Sequence, residues 1–125
     1  MINTEIQAYA SMHTSAENEL LTEILELTAS TRNDKTMLSG FYQGRVLSML
    51  SKMLQPKTIL EIGTYMGYSA LCLAEGLCDN GKIITLDSER ETFEIATKLF
   101  ARSVYANQIE ASLGNALEII TTIPE

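Results

Sequence analysis

Leu60-Glu61-Ile62-Gly63-Thr64-Tyr65-Met66-Gly67-Tyr68-Ser69 is the stretch that decides the fold. A short apolar strand runs into a glycine-bearing turn, and a helix follows over residues 68–78. In a parallel sheet such a turn lies at the carboxyl edge of the strands, where ligands bind. Gly63 has no Cβ, so it permits a tight bend and a close ligand approach. Gly67 can let the next helix pack near the strand. The pattern is not GxGxxG, because bulky Tyr65 stands where a dinucleotide site wants a glycine against the pyrophosphate. It is not GxxxxGK[ST] either.

Outward from that turn the alternation is regular. Pro56 ends a helix over residues 42–54, on which Val46, Leu47, Leu50, Met53 and Leu54 follow the helical apolar spacing. Thr58–Ile62 is the first strand. Asp79-Asn80-Gly81 is a turn, and Lys82–Asp87 is the second strand. Residues 89–105 form an amphipathic helix with Phe93, Ala96, Phe100 and Val104 on one stripe. Residues 108–113 are a third strand, and a further helix begins over 115–121. Right-handed crossovers make this an α/β fold, a Rossmann-like parallel sheet with covering helices and three strands ordered 3-2-1. Ahead of it, residues 4–12 and 15–29 read as helices, the second with Ser15 as N-cap, and residues 30–40 read as a loop. The expected organisation is one partial domain over 1–125: a helical cap region over 1–56 and a ligand-binding α/β half over 57–125.

Three features point to a ligand. Glu61 puts a carboxylate near the turn, which would repel a diphosphate and attract an ammonium group. Asp87 ends the second strand, 24 residues after Gly63; it can accept hydrogen bonds from ribose hydroxyls or help cap the following helix. Gly114-Asn115-Ala116 follows the third strand, and Asn115 can meet an adenine edge or cap a helix. Together they describe a nucleoside without phosphates but with a positive amine. S-adenosylmethionine fits that description.

Composition narrows the partners. The net charge is −7, with 4 basic and 6 acidic residues up to position 56 and 5 basic and 10 acidic after it. Such a surface repels phosphate backbones, so nucleic acid is not an expected partner. No apolar run approaches a membrane span of roughly 20 residues, and the Met1-Ile2-Asn3-Thr4-Glu5 start is not that of a secretory signal. Cys72 and Cys78, six apart on one helix, point to different faces and read as reduced thiols of a cytoplasmic protein. They form no CxxC pair, and the single histidine, His13, reads as a surface residue.

At this point the chain resembles a family. Thr58–Leu71 (TILEIGTYMGYSAL), Gly81–Asp87 (GKIITLD) and Gly114–Ala116 are similar to the cation-dependent O-methyltransferases of the catechol and caffeoyl-CoA type. The resemblance covers about residues 37–120, and LEIGTYMGYSAL is its most specific part. It implies methyl transfer from S-adenosylmethionine to a hydroxyl of a small aromatic acceptor, with a divalent cation such as Mg²⁺, in a homodimer. It also implies cofactor contacts. Glu61, Gly63 and Tyr65 would surround the methionine portion, and Ser69 would bond its carboxylate. Asp87 would hold the ribose, and Asn115 and Ala116 would lie by the adenine. Met37 would cover the sulfonium, and Ser39 would touch the cofactor through its backbone. Asn115 departs from the aspartate frequent in bacterial relatives, keeping hydrogen-bonding capacity without the charge.

The resemblance also expects a fourth strand after the chain stops at Thr122-Ile123-Pro124-Glu125. That strand would carry acidic metal ligands, and the catalytic lysine and much of the acceptor pocket would follow. The 125 residues are therefore expected to be one half of the functional unit, since an open sheet edge leaves apolar surface and backbone uncovered. Two other functions are compatible with such a chain: a nucleotide-binding Rossmann oxidoreductase, which Tyr65 and Glu61 oppose, and a noncatalytic homologue that serves as a dimerisation module.

Overall fold

The computed structural model describes residues 3–123; Met1, Ile2, Pro124 and Glu125, used above in reading the two chain ends, lie outside them. The helical lead-in contains α1 (Thr4–Met12), α2 (Glu19–Thr31) and α3 (Gly40–Leu54), with a short 3₁₀ turn over Lys35–Met37. The α/β part runs β1 (Thr58–Ile62), α4 (Tyr68–Ala74), β2 (Lys82–Asp87), α5 (Arg90–Phe100), β3 (Ile109–Leu113) and α6 (Ala116–Ile120). The sheet is parallel in the order β1-β2-β3.

Boundaries shift where a better cap wins. The second helix starts at Glu19 because the Asn18 side chain accepts from Leu21 N at 3.0 Å, so Asn18 and not Ser15 is the cap. The helices after β1 and β2 end at Ala74 and Phe100, short of 78 and 105. Val104 is consequently off the α5 stripe and 90% exposed.

The core lies on one face of the sheet. Side chains alternate along a strand, so Ile59, Ile83, Ile109 and Ala111 share a face with Glu61 and Thr85. The four apolar ones join a cluster with Leu21 and Ile24 of α2, Tyr68 and Leu71 of α4, and Ala96 and Phe100 of α5. The central strand β2 is buried from Ile83 to Leu86, which explains its nearly continuous apolar run. On the other face Leu60 and Ile62 of the edge strand β1 stay exposed.

The α3 helix turns the expected way along its axis but not about it. Its buried side is Gly44, Ser48 and Ser51, and the apolar residues Val46, Leu50, Met53 and Leu54 face outward. The cause is close packing on α4. A Cβ on Gly76 would lie 2.2 Å from the Ser51 carbonyl carbon and 2.2 Å from Lys52 N. Only small residues fit at such a crossing. Ser51 Oγ donates to Leu73 O at 2.6 Å, satisfying its hydroxyl there.

Candidate functional site

The turn after β1 is built by its glycines and by Asp87. Gly63 has φ +100° and its N–H donates to Leu86 O at 2.8 Å, with open space where a Cβ would stand. Gly67 has φ +82°, and a Cβ there would meet the Phe100 ring at 2.5 Å. It therefore serves the contact with α5, not the strand as the sequence reading had it.

Asp87 faces the turn. Its Oδ2 accepts from Tyr65 N at 2.6 Å and its Oδ1 accepts from Glu89 N at 2.9 Å. One carboxylate thus ties the β1 turn to the start of α5. Each oxygen keeps a lone pair for another donor, so the capping and ribose readings are compatible.

A hollow of about 350 Å³ opens at the carboxyl edge, lined by Gly63, Leu86, Asp87, Asn115 and Ala116, among others. Four of the nine expected cofactor residues therefore meet at one place. Asn115 also caps α6, its Oδ1 accepting from Leu117 N at 2.9 Å.

Glu61 and Ser69 meet beside it, but with each other. Ser69 Oγ donates to Glu61 Oε1 at 2.7 Å, and Thr85 Oγ1 donates to Oε2 at 2.5 Å. Burial pushes the Glu61 carboxyl above its ordinary range; the two hydroxyl bonds oppose this and the charge of Asp87 adds to it. Among the described residues no cation contributes. Sequence reasoning missed the two threonines beneath Glu61, Thr85 and Thr64. The available signal was a hydroxyl residue at position 85 on the face that carries Ile59, Ile83, Ile109 and Ala111 beside Glu61.

The remaining three expected residues lie apart. Tyr65 has φ +47° and its half-buried side chain packs against the core cluster, its hydroxyl donating to Asp34 Oδ1 at 2.8 Å. Arg32 sits 6.0 Å over its ring and pairs with Asp34 at 2.9 Å and Glu91 at 3.1 Å. This clasp fastens the residue 30–40 segment to the turn. Met37 on that segment is 71% exposed, and Ser39, half-buried, precedes α3. Neither lines the hollow.

A second carboxylate, Glu75, sits at the α3–α4 crossing. It takes Arg45 in two bonds of 2.8 and 3.1 Å, Ser48 Oγ at 2.6 Å and Lys52 Nζ at 2.9 Å. Burial would raise its carboxyl, but these bonds outweigh burial and bring it to about 2. Nearby, desolvation lifts the Cys72 thiol to about 11, so it is an inert core residue. Among the described residues no group of three or more His, Cys, Asp or Glu side chains is placed to hold a metal ion. The expected divalent cation has no ligand set among them.

The profile of the O-methyltransferase family matches residues 11–125. The chain belongs to that family. Among curated O-methyltransferases, caffeoyl-CoA O-methyltransferase 2 of Petunia hybrida is 36% identical over 109 residues, covering 87% of this chain and 45% of the relative. The chain thus spans about half the length of the curated relatives it matches. The SAH-bound methyltransferase of Podospora anserina superposes with a TM-score of 0.89 at 27% identity, covering 100% of this chain and 56% of that one. An O-methyltransferase from Streptomyces achromogenes, involved in tomaymycin synthesis and crystallised with SAM, gives 0.85 at 30% identity, covering 100% and 57%. The Rossmann-like fold expected from the turn is that of these methyltransferases. Among the described residues no helix is long and apolar enough to cross a membrane.

Proposed function

We propose that residues 57–125 form the S-adenosylmethionine-binding half of an O-methyltransferase that acts on a hydroxyl of a small aromatic acceptor. The observation that carries the reading is the carboxyl edge of the sheet. Two carboxylates, Glu61 and Asp87, flank the turn at Gly63 beside an open hollow, and among the described residues no cation neutralises Glu61. A diphosphate would be repelled there; a ligand with an ammonium group and a ribose would not. The SAH-bound and SAM-bound neighbours support the same ligand class.

In this reading Asp87 accepts hydrogen bonds from the ribose hydroxyls while its backbone bonds hold it in place. The Asn115 amide and Ala116 border the adenine, and Gly63 leaves room for close approach. Glu61 attracts the ammonium end, and Ser69 stands beside it. Tyr65 fastens the segment carrying Met37 and Ser39 near the site. The cofactor supplies a methyl group activated on a sulfonium for in-line displacement, and the chain's residues contribute mainly positioning. Acceptor contacts and the divalent cation that would lower the hydroxyl pKa are assigned to residues beyond those described. A cytoplasmic homodimer is part of the proposal, supported by the two free cysteines and the outward apolar side chains of α3.

Isothermal titration of S-adenosylmethionine into the full-length protein tests this. Saturable binding that Asp87→Ala weakens at least about tenfold is expected, from loss of hydrogen bonds to a charged acceptor. Absence of heat with this ligand, or saturable binding of NADH in its place, would falsify the assignment.

A further inference from the structure

We propose that Thr64 and Thr85 form a one-way hydroxyl relay that holds the Glu61 carboxylate as an oriented anion, making Thr85 a positioning residue for the cationic end of the cofactor. The inference rests on the reading of the site just given. Its geometry comes from strand pairing: Glu61 on β1 and Thr85 on β2 are register partners on the covered face of the sheet. Thr85 Oγ1 lies 2.5 Å from Glu61 Oε2 and 2.7 Å from Thr64 Oγ1.

A carboxylate only accepts, so the Thr85 hydroxyl hydrogen is committed to Glu61. The bond between the threonines then runs from Thr64 to Thr85. Thr64 is 1% exposed and Thr85 0%, so bulk water does not substitute for either partner. In this direction every hydroxyl hydrogen of the chain has an acceptor.

A proton on Glu61 Oε2 would force the chain to reverse. Thr85 would donate to Thr64, and the Thr64 hydrogen would face no acceptor among the described residues. A buried donor without a partner is costly. A proton on Oε1 would likewise displace the Ser69 donor, so the relay and Ser69 together favour the charged carboxylate, against burial and against Asp87, the other ionisable group acting on Glu61. Around Glu61, α4 presents Ser69, and β2 presents Thr85 and Asp87. Hydrogen bonds in series also polarise one another, which strengthens the donation at Oε2. The result is a fixed anion that has no cation among the described residues and that a ligand's cation would complete.

The test uses the full-length protein with Thr85→Val, which keeps the branched shape and loses the hydroxyl, Thr85→Ser, which keeps the donor, and Thr64→Val. Two readouts are compared: the ¹³C titration of the Glu61 carboxyl without ligand, and S-adenosylmethionine binding across pH. Thr85→Val is expected to raise the Glu61 midpoint by about one pH unit and to weaken binding about tenfold at neutral pH. The deficit should grow as pH falls. Thr85→Ser should bring binding back to within about threefold, and Thr64→Val should move both readouts the same way by less. A Glu61 titration in Thr85→Val that overlays the parent overturns the relay. So does a Thr85→Ser variant as impaired as Thr85→Val, since volume and not donation would then be the role. A parent protein that binds no S-adenosylmethionine overturns the cofactor reading alone, and the ligand-free titration still decides the relay.

Discussion

Glu61 and Glu75 are both sequestered carboxylates against α4, and they have opposite environments. Glu75 at the α3–α4 crossing is met by Arg45, Lys52 and Ser48, and its carboxyl sits far below the ordinary range, at about 2. Glu61 at the carboxyl edge is met by two hydroxyls and a neighbouring carboxylate, and its carboxyl sits above the ordinary range. The first has its cations built in, so it is a fastening. The second is buried without one, which lowers stability unless something outside the chain supplies the charge. That difference separates a fastening acid from the one proposed to meet the ligand.

The largest effect should come from breaking the fastening. Arg45→Met leaves Glu75 with only Lys52 and Ser48 and is expected to lower unfolding free energy by about 3 kcal/mol. Chemical denaturation reads this, and cofactor affinity of the folded fraction should be unchanged. Glu61→Gln should do the reverse: affinity for S-adenosylmethionine falls about 30-fold, while stability moves by no more than about 1 kcal/mol. If both variants lost stability alike and binding alike, the two carboxylates would not differ in role.

The pH dependence has opposite signs at the two places. The Glu75 carboxyl is lower in the folded protein than in the unfolded chain, from 4.5 to about 2. Its stabilisation is therefore present above the unfolded value and is lost as pH falls toward the folded one. Glu61 is raised above 4.5, so its contribution to folding is full below that unfolded value and is lost as pH rises through the higher folded one. Acid unfolding followed by circular dichroism should become shallower in Arg45→Met and slightly steeper in Glu61→Gln.

Asp87→Asn comes next. An amide offers one acceptor oxygen where Asp87 uses two, for Tyr65 N and Glu89 N. A loss of about 1–2 kcal/mol in stability is expected, with at least tenfold weaker cofactor binding by titration. The smallest effect is expected from Tyr65→Phe, which removes the hydroxyl donating to Asp34. Binding should weaken by no more than about threefold, with faster proteolysis of the residue 30–40 segment as the more sensitive reading.

Much of this was readable in the chain. β1 and β2 have the predicted bounds because both are short runs rich in Ile, Leu and Thr set between Pro56 or Gly81 and a following turn, and LEIGTYMGYSAL places the turn. Asp87 meets Gly63 because strand ends converge in a parallel sheet. The α3 face was not readable. Val46, Leu50, Met53 and Leu54 look like a core stripe, yet the closeness of α3 to α4 selects Gly44, Ser48 and Ser51. Ser15 lost to Asn18 as a cap because several polar residues compete near a helix start.

The amino-acid order by itself determined the alternation of strands and helices, the bend at Gly63 and the residue types gathered at its edge. Each of these follows from local spacing and backbone freedom. Tertiary structure alone decided that Thr85 lies opposite Glu61, that Thr64 stands behind it, and that Glu75 rather than Glu61 receives the cations. Those contacts join residues 21 to 30 positions apart. Burial and strand register, which set their distances and charge states, exist only once the sheet and its covering helices have assembled.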